Sequence, residues 1–258
     1  MKRALLSLLL VGACNGSTGS ALVTFTALAG GPSDIAPGVS FMSGSGYTLT
    51  LSRARLHLAA AYLNQTVPLS GSQESSCAQP ADNVYVGEAF GPLELDLLST
   101  ALQSFAMPGA GIEARAQTGE VWLAGGAIDA LEDDTVILDV AGTAAKSGLA
   151  WPFTGSVTIG SNRAIPVQSP ALPGSHPICQ QRIVTPIPVD VTPRSGGTLM
   201  LRIDPRGMFN AVDFSRLTPA TGADGVYVLP DEQGGAGGQL FDGLRSNAGV
   251  FDFAFVDR

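Results

Sequence analysis

Basic residues are scarce in this chain. Lysine and arginine number 14 against 22 aspartates and glutamates, which leaves a net charge of −8 over 258 residues. A nucleic-acid partner requires a basic footprint that neutralises phosphates, so that class of partner is excluded. Charge of either sign is sparse, at 14%, whereas 45% of residues are hydrophobic, a balance that excludes general disorder. Long apolar runs are lacking as well: the longest, near the N-terminus, is about half of the roughly 20 residues that a spanning helix needs. Histidine occurs twice, at His57 and His176. The chain has no Gly-x-Ser-x-Gly elbow, His-Glu-x-x-His, P-loop or Cys-x-x-Cys pattern. The common hydrolase, zinc-protease, nucleotide and dithiol signatures are therefore missing, and no cofactor is expected.

What the chain does have begins at Met1-Lys2-Arg3, followed by apolar residues from Ala4 to Val11 and then Gly12-Ala13-Cys14. A basic start, a short apolar stretch and small residues before a break form an export signal. Val11-Gly12-Ala13-Cys14 resembles the lipobox of bacterial lipoproteins. That resemblance implies a diacylglycerol on the Cys14 thiol, cleavage of residues 1–13 and acylation of the new amine. With Asn15 and not Asp at the second mature position, it further implies delivery to the outer membrane, on its periplasmic or surface face. Two or three acyl chains anchor a protein stably, whereas one does so only marginally. Loss of Lys2 and Arg3 takes the net charge from −8 to −10, so anionic lipid adds no attraction. Residues 14–20 then form the lipidated cysteine and a small polar tether, of which Asn15 to Ser20 spans about 20 Å at full stretch.

With Cys14 acylated, two cysteines remain, Cys77 and Cys179, in Ser-, Gln- and Pro-rich stretches. In an oxidising compartment they read as a disulfide between two loops. Closing a loop of about 100 residues contributes roughly 4–5 kcal/mol in the chain-entropy model.

From residue 21 to 258 the pattern is mainly β and reads as one domain. Leu22–Ala29, Val84–Val86, Leu93–Leu97, Glu120–Leu123, Thr135–Val140, Leu199–Ile203 and Phe251–Phe255 are strand candidates. Trp151–Ile159 alternates most cleanly. In Tyr47–Leu58 the apolar set switches from Tyr47, Leu49 and Leu51 to Ala54, Leu56 and Leu58, which predicts a bulge near Ser52–Arg53. Pro186 and Pro188 confine Ile183–Val191 to an edge strand or an extended loop. Helical turns are expected only within Asp204–Phe214 and Gly238–Asn247, Leu93–Ser104 is ambiguous, and Gly234–Gly238 reads as a loop. Many short strands with frequent turn signals predict an antiparallel β-sandwich, immunoglobulin-like or jelly-roll-like, with one or two short helices. The mature domain resembles exported β-sandwich lipoproteins.

The candidates for chemistry are few. His57 stands in a strand between Arg55 and Leu58, on a charged stripe with Arg53, and His176 in a loop before Cys179. These two are the candidate metal ligands, and the singly spaced Met42, Met107, Met200 and Met208 add no ligand motif. Glu132-Asp133-Asp134 and Asp231-Glu232 lack the alternation of a calcium loop. Glu94 and Asp96 share a polar face, and Trp122 and Trp151 read as core anchors. The stretch from Gly46-Tyr47-Thr48-Leu49 through Leu56 to Tyr62-Leu63 is similar in apolar pattern to the opening strands of exported copper-binding proteins of the methanobactin-partner type, and carries no site residues across. The expectation is a lipid-anchored envelope protein with a non-catalytic binding or scaffolding role towards a protein or glycan. The alternative is a periplasmic copper-type accessory protein.

Overall fold

The computed structural model describes residues 20–66, 84–123, 135–159, 181–217 and 225–257. Its strands are β1 (Leu22–Gly30), β2 (Ser40–Met42), β3 (Thr48–Asn64), β4 (Tyr85–Asp96), β5 (Gln103–Ser104), β6 (Gly109–Ile112) and β7 (Ala116–Leu123). They continue as β8 (Val136–Lys146), β9 (Leu149–Thr158), β10 (Ile183–Val191), β11 (Thr198–Ile203), β12 (Tyr227–Leu229) and β13 (Phe251–Val256). The helical elements that lie wholly within the described residues are two α-helices, α1 (Pro205–Met208) and α2 (Gly235–Leu244), and a 3-10 turn at Phe214–Arg216. The chain is mainly β, as its alternating pattern predicts.

The spine of the molecule is β3, 17 residues long. Along one edge it pairs first with β8 and then with β7; along the other it pairs with β2 and then β4. The sheet continues from β4 through β6 and β1 to β11 and β13. It then folds over, because Phe253 of β13 lies against Gly119 of β7, where a Cβ would stand 2.5 Å from its ring. One apolar cluster with members from β1 to β13 fills the space so enclosed.

A purely antiparallel arrangement is not what forms. Strand β1 runs parallel to β11, with Thr26 opposite Thr198 and Gly30 opposite Arg202, and β12 runs parallel to β9. Alternation fixes which face of a strand is buried, whereas the direction of its neighbour depends on crossovers that leave no periodic trace. The predicted bulge is present: the register between β3 and β8 shifts between Leu51 and Arg53. Leu49 and Leu51 are buried before it, and Ala54, Leu56 and Leu58 after it. A second shift between Leu58 and Ala60 transfers burial to Ala61 and Leu63. Strand β10 pairs only with β7 among the described residues, and its register breaks around Pro186 and Pro188, as an edge strand with prolines requires.

The helical segment packs on the β8–β9 side. Phe153 of β9 meets Phe209 at 5.8 Å and Phe214 at 5.0 Å between ring centroids. Tyr47 joins them and donates its hydroxyl to Asp213 Oδ1 at 2.7 Å. Hydrogen bonds from Ser215 and Tyr47 pull the Asp213 carboxyl down to about 2.

The glycines expected to form a loop at 234–238 instead open α2, with Gly234 as its N-cap. Helix-breaking propensity is overridden there by close packing, since a Cβ on Gly237 would lie 1.6 Å from the Pro230 carbonyl oxygen.

Candidate functional site

The second bulge in β3 decides what faces outward at its C-terminal end. Once Ala61 and Leu63 enter the core, Ala60, Tyr62 and Asn64 point to the opposite face. Each then meets one residue on β4 and one on β7. Ala60 stands between Phe90 and Trp122, Tyr62 between Glu88 and Glu120, and Asn64 between Tyr85 and Thr118. The result is a three-by-three patch with a tyrosine at its centre and a carboxylate on either side. Ala60 leaves room for the rings around it to lean inward. Tyr62 lies 4.9 Å from Tyr85, 5.5 Å from Phe90 and 5.5 Å from Trp122 between centroids, all tilted or edge-on. Such pairs contribute about 0.5–1.5 kcal/mol each beyond their buried area.

Glu120 is the unusual member, a carboxylate only 2% exposed. The Trp122 indole N–H donates to its Oε1, and so does the Tyr85 hydroxyl at 3.4 Å. Burial pushes its carboxyl above the ordinary range, opposed in part by these two hydrogen bonds. Burial also raises the Tyr62 hydroxyl to about 12, helped by the charges of Glu120 and Glu88. Glu120 thus fixes the orientation of two rings, while half-buried Glu88 presents the more open carboxylate. Asn64 is fully buried beside them, and neither atom of its amide has a hydrogen-bond partner. A buried amide without partners is costly.

A raised carboxyl gives a testable slope. Glu120 binds its proton more tightly folded than unfolded, so its stabilising contribution is complete below the unfolded value near 4.5 and is lost as pH rises through the folded value. Urea unfolding across about pH 4 to 8 should show wild type losing stability with pH relative to Glu120→Gln. A pH-independent difference between the two would refute the assignment.

The residues singled out from the sequence lie elsewhere. Cys14, Cys77, Cys179 and His176 fall outside the described residues, as does Glu132-Asp133-Asp134. His57 is half-buried on the outer face opposite Glu94, and Arg55 reaches Glu94 at 3.6 Å. Asp96 is turned to another task, accepting from the Leu98 backbone N–H at 3.0 Å. Asp231 accepts from the Thr158 backbone N–H at 2.9 Å and so fastens the end of β9. No group of three metal-capable side chains occurs among the described residues. Trp122 is not a core anchor: β7 alternates Val121 and Leu123 into the core and leaves Trp122 half-buried on the outer face, and Trp151 is half-buried, edge-on to Tyr47 at 5.6 Å.

Sequence reading missed Tyr62, Glu88 and Glu120. The available signal was a carboxylate interrupting the apolar segment Glu120-Val121-Trp122-Leu123, and it gains meaning only beside its cross-strand neighbours. Chemically the patch offers ring faces, an accessible carboxylate and a fixed buried one, which suits recognition. No protein-family model, curated protein or solved structure matches the chain.

Proposed function

We propose that this is an exported, lipid-anchored envelope protein with a non-catalytic binding role, and that the patch centred on Tyr62 recognises a glycan. The observation that carries the reading is the buried Glu120 holding Trp122 and Tyr85 in place around Tyr62, with Glu88 beside them. Sugar rings have apolar C–H faces that lie on aromatic side chains, and hydroxyls that donate to carboxylates. Preorganised rings and an open carboxylate supply both halves of that chemistry, and pre-set orientation reduces the entropy lost on binding. The anchor on Cys14 and the outer-membrane location belong to the same proposal and rest on the lipobox-like end of the leader. So does the sandwich grouping, immunoglobulin-like or jelly-roll-like, which is supported by the packing of Phe253 across on Gly119.

The chain has two tryptophans, so Trp151→Phe leaves Trp122 as the sole indole. Cell-wall glycan fragments titrated into that variant should shift Trp122 fluorescence saturably, and Tyr62→Ala should remove the shift while circular dichroism shows the variant still folded at the titration temperature. If glycan gives no shift but a photoreactive residue at position 62 traps an envelope protein at a defined site, the partner is a protein and the glycan assignment falls. If neither occurs, the face has no binding role.

A further inference from the structure

Beside the Tyr62 patch the sheet carries a groove of about 430 Å³ running over β1, β6 and β4. Its floor is low because β6 brings only Ala110 and Ile112 to this face, Gly109 and Gly111 alternating toward the core, where a Cβ on Gly109 would meet the Phe25 ring. The walls are Leu22 paired with Ile112, and Tyr85; Thr24, Ala110 and Glu88 form the next row. Leu22 is 85% exposed, the largest exposure among the large hydrophobic residues of the described chain. An exposed apolar wall around a floor as low as Ala110 calls for an apolar occupant.

Three observations select that occupant. First, β6 is hydrogen-bonded on both edges, to β1 and to β4, so an incoming peptide finds no free backbone on which to add as a strand. A hydrocarbon needs none. Second, the described chain begins at Ser20, two residues before Leu22. Leu22 lies eight positions after Cys14, so a group on Cys14 is within at most about 29 Å of the groove. Third, a volume of about 430 Å³ is on the scale of a single acyl chain.

We infer that the groove over β6 receives one acyl chain of the anchor on Cys14, entering between Leu22 and Ile112 and ending before Glu88. The inference rests on the lipoprotein reading and extends it: the remaining chains enter the bilayer, and the Tyr62 patch is held at a fixed edge beside the anchor. Glu88 limits the depth, since a half-buried carboxylate next to hydrocarbon is unfavourable.

Cells fed a palmitate analogue carrying a diazirine and an alkyne provide the test. Full-length wild type, Cys14→Ser and Ala110→Trp are irradiated in isolated membranes, and cross-linked peptides are mapped. Ala110 is exposed, so tryptophan there fills the groove without entering the core. The expected result is a cross-link between the Cys14 peptide and Leu22, Tyr85 or Ile112 of the same chain, reduced at least tenfold in Ala110→Trp with acylation unchanged. Wild type acylated at Cys14 but cross-linked only to phospholipid would overturn the groove inference and leave the anchor standing. Adducts at the groove that persist in Cys14→Ser would assign it to bilayer lipid and likewise overturn it. Absence of acylation in wild type would remove the anchor reading, and this inference with it.

Discussion

Replacing Phe153 by alanine is expected to cost the domain about 3–5 kcal/mol of stability. Phe153 is 2% exposed and lies where the sheet meets the helical segment, against Phe209 and Phe214. Its ring also reaches the floor of β8, since a Cβ on Gly142 would come within 3.2 Å of the Phe153 Cζ. Truncation removes the transfer free energy of the ring and leaves a cavity whose walls belong to three separate elements. Such walls collapse poorly, which places the cost towards the upper end. For a domain of this size the melting temperature should fall on the order of 10 °C. The measurement is thermal unfolding of the domain beginning at Asn15, followed by circular dichroism. Phe255→Ala is the control: that ring is only half-buried in β13, and its loss should cost about half as much. Equal losses at the two positions would mean that the aromatic contacts of Phe153 are not a centre of the core.

How much of this was legible beforehand follows from which residues carry local information. The strand at Trp151–Ile159 could be read because each of Phe153, Gly155 and Val157 faces inward in strict alternation. The first bulge of β3 could be read for the same reason, as two buried leucines give way to a shifted apolar set. The second bulge could not, because Ala59-Ala60-Ala61 gives three small residues of one type, and no contrast marks where the face switches. Everything about the Tyr62 patch depends on that unmarked switch. The neighbours Glu88 and Glu120 stand 26 and 58 positions further along, so their meeting is a property of the pairing of three strands. The parallel pairing of β1 with β11 is hidden for a related reason: Thr26 and Thr198 are 172 positions apart, and alternation is indifferent to strand direction. His57, by contrast, sits where its alternation puts it, on the polar side of Leu56 and Leu58.

The glycine-rich start of α2 is where local preference and tertiary packing disagree most sharply, and a pair of substitutions separates them. Each glycine inside a helix costs up to about 1 kcal/mol relative to alanine, so propensity alone argues for replacing any of them. At Gly238 the new Cβ would stand 3.3 Å from the Glu232 carbonyl oxygen, a gap that a shift of a few tenths of an ångström opens. Gly238→Ala is therefore expected to be neutral within about 0.5 kcal/mol, propensity offsetting the tight fit. At Gly237 the same methyl would stand 1.6 Å from the Pro230 carbonyl oxygen and 2.7 Å from its carbonyl carbon, both backbone atoms without a rotamer to change. That carbonyl is also engaged by the Glu232 N–H at 3.0 Å, so moving it breaks a turn. Further along α2, Gly243 is equally tight against the Met208 carbonyl oxygen, at 2.0 Å, so the helix has no direction in which to slide away. Gly237→Ala should accordingly cost about 3 kcal/mol or more, the upper range for overpacking, with α2 detached from the sheet before global unfolding. Hydrogen exchange resolved at Leu240 and Phe241, both buried only by that docking, is the direct measurement. Protection at those amides should collapse in Gly237→Ala and persist in Gly238→Ala. If both variants keep it, the packing around Pro230 is loose enough to admit a methyl, and the glycines reflect a helix start tolerant of any small residue. If both lose it, propensity and packing are not the opposing terms at this helix, and the whole glycine run is held by close approach.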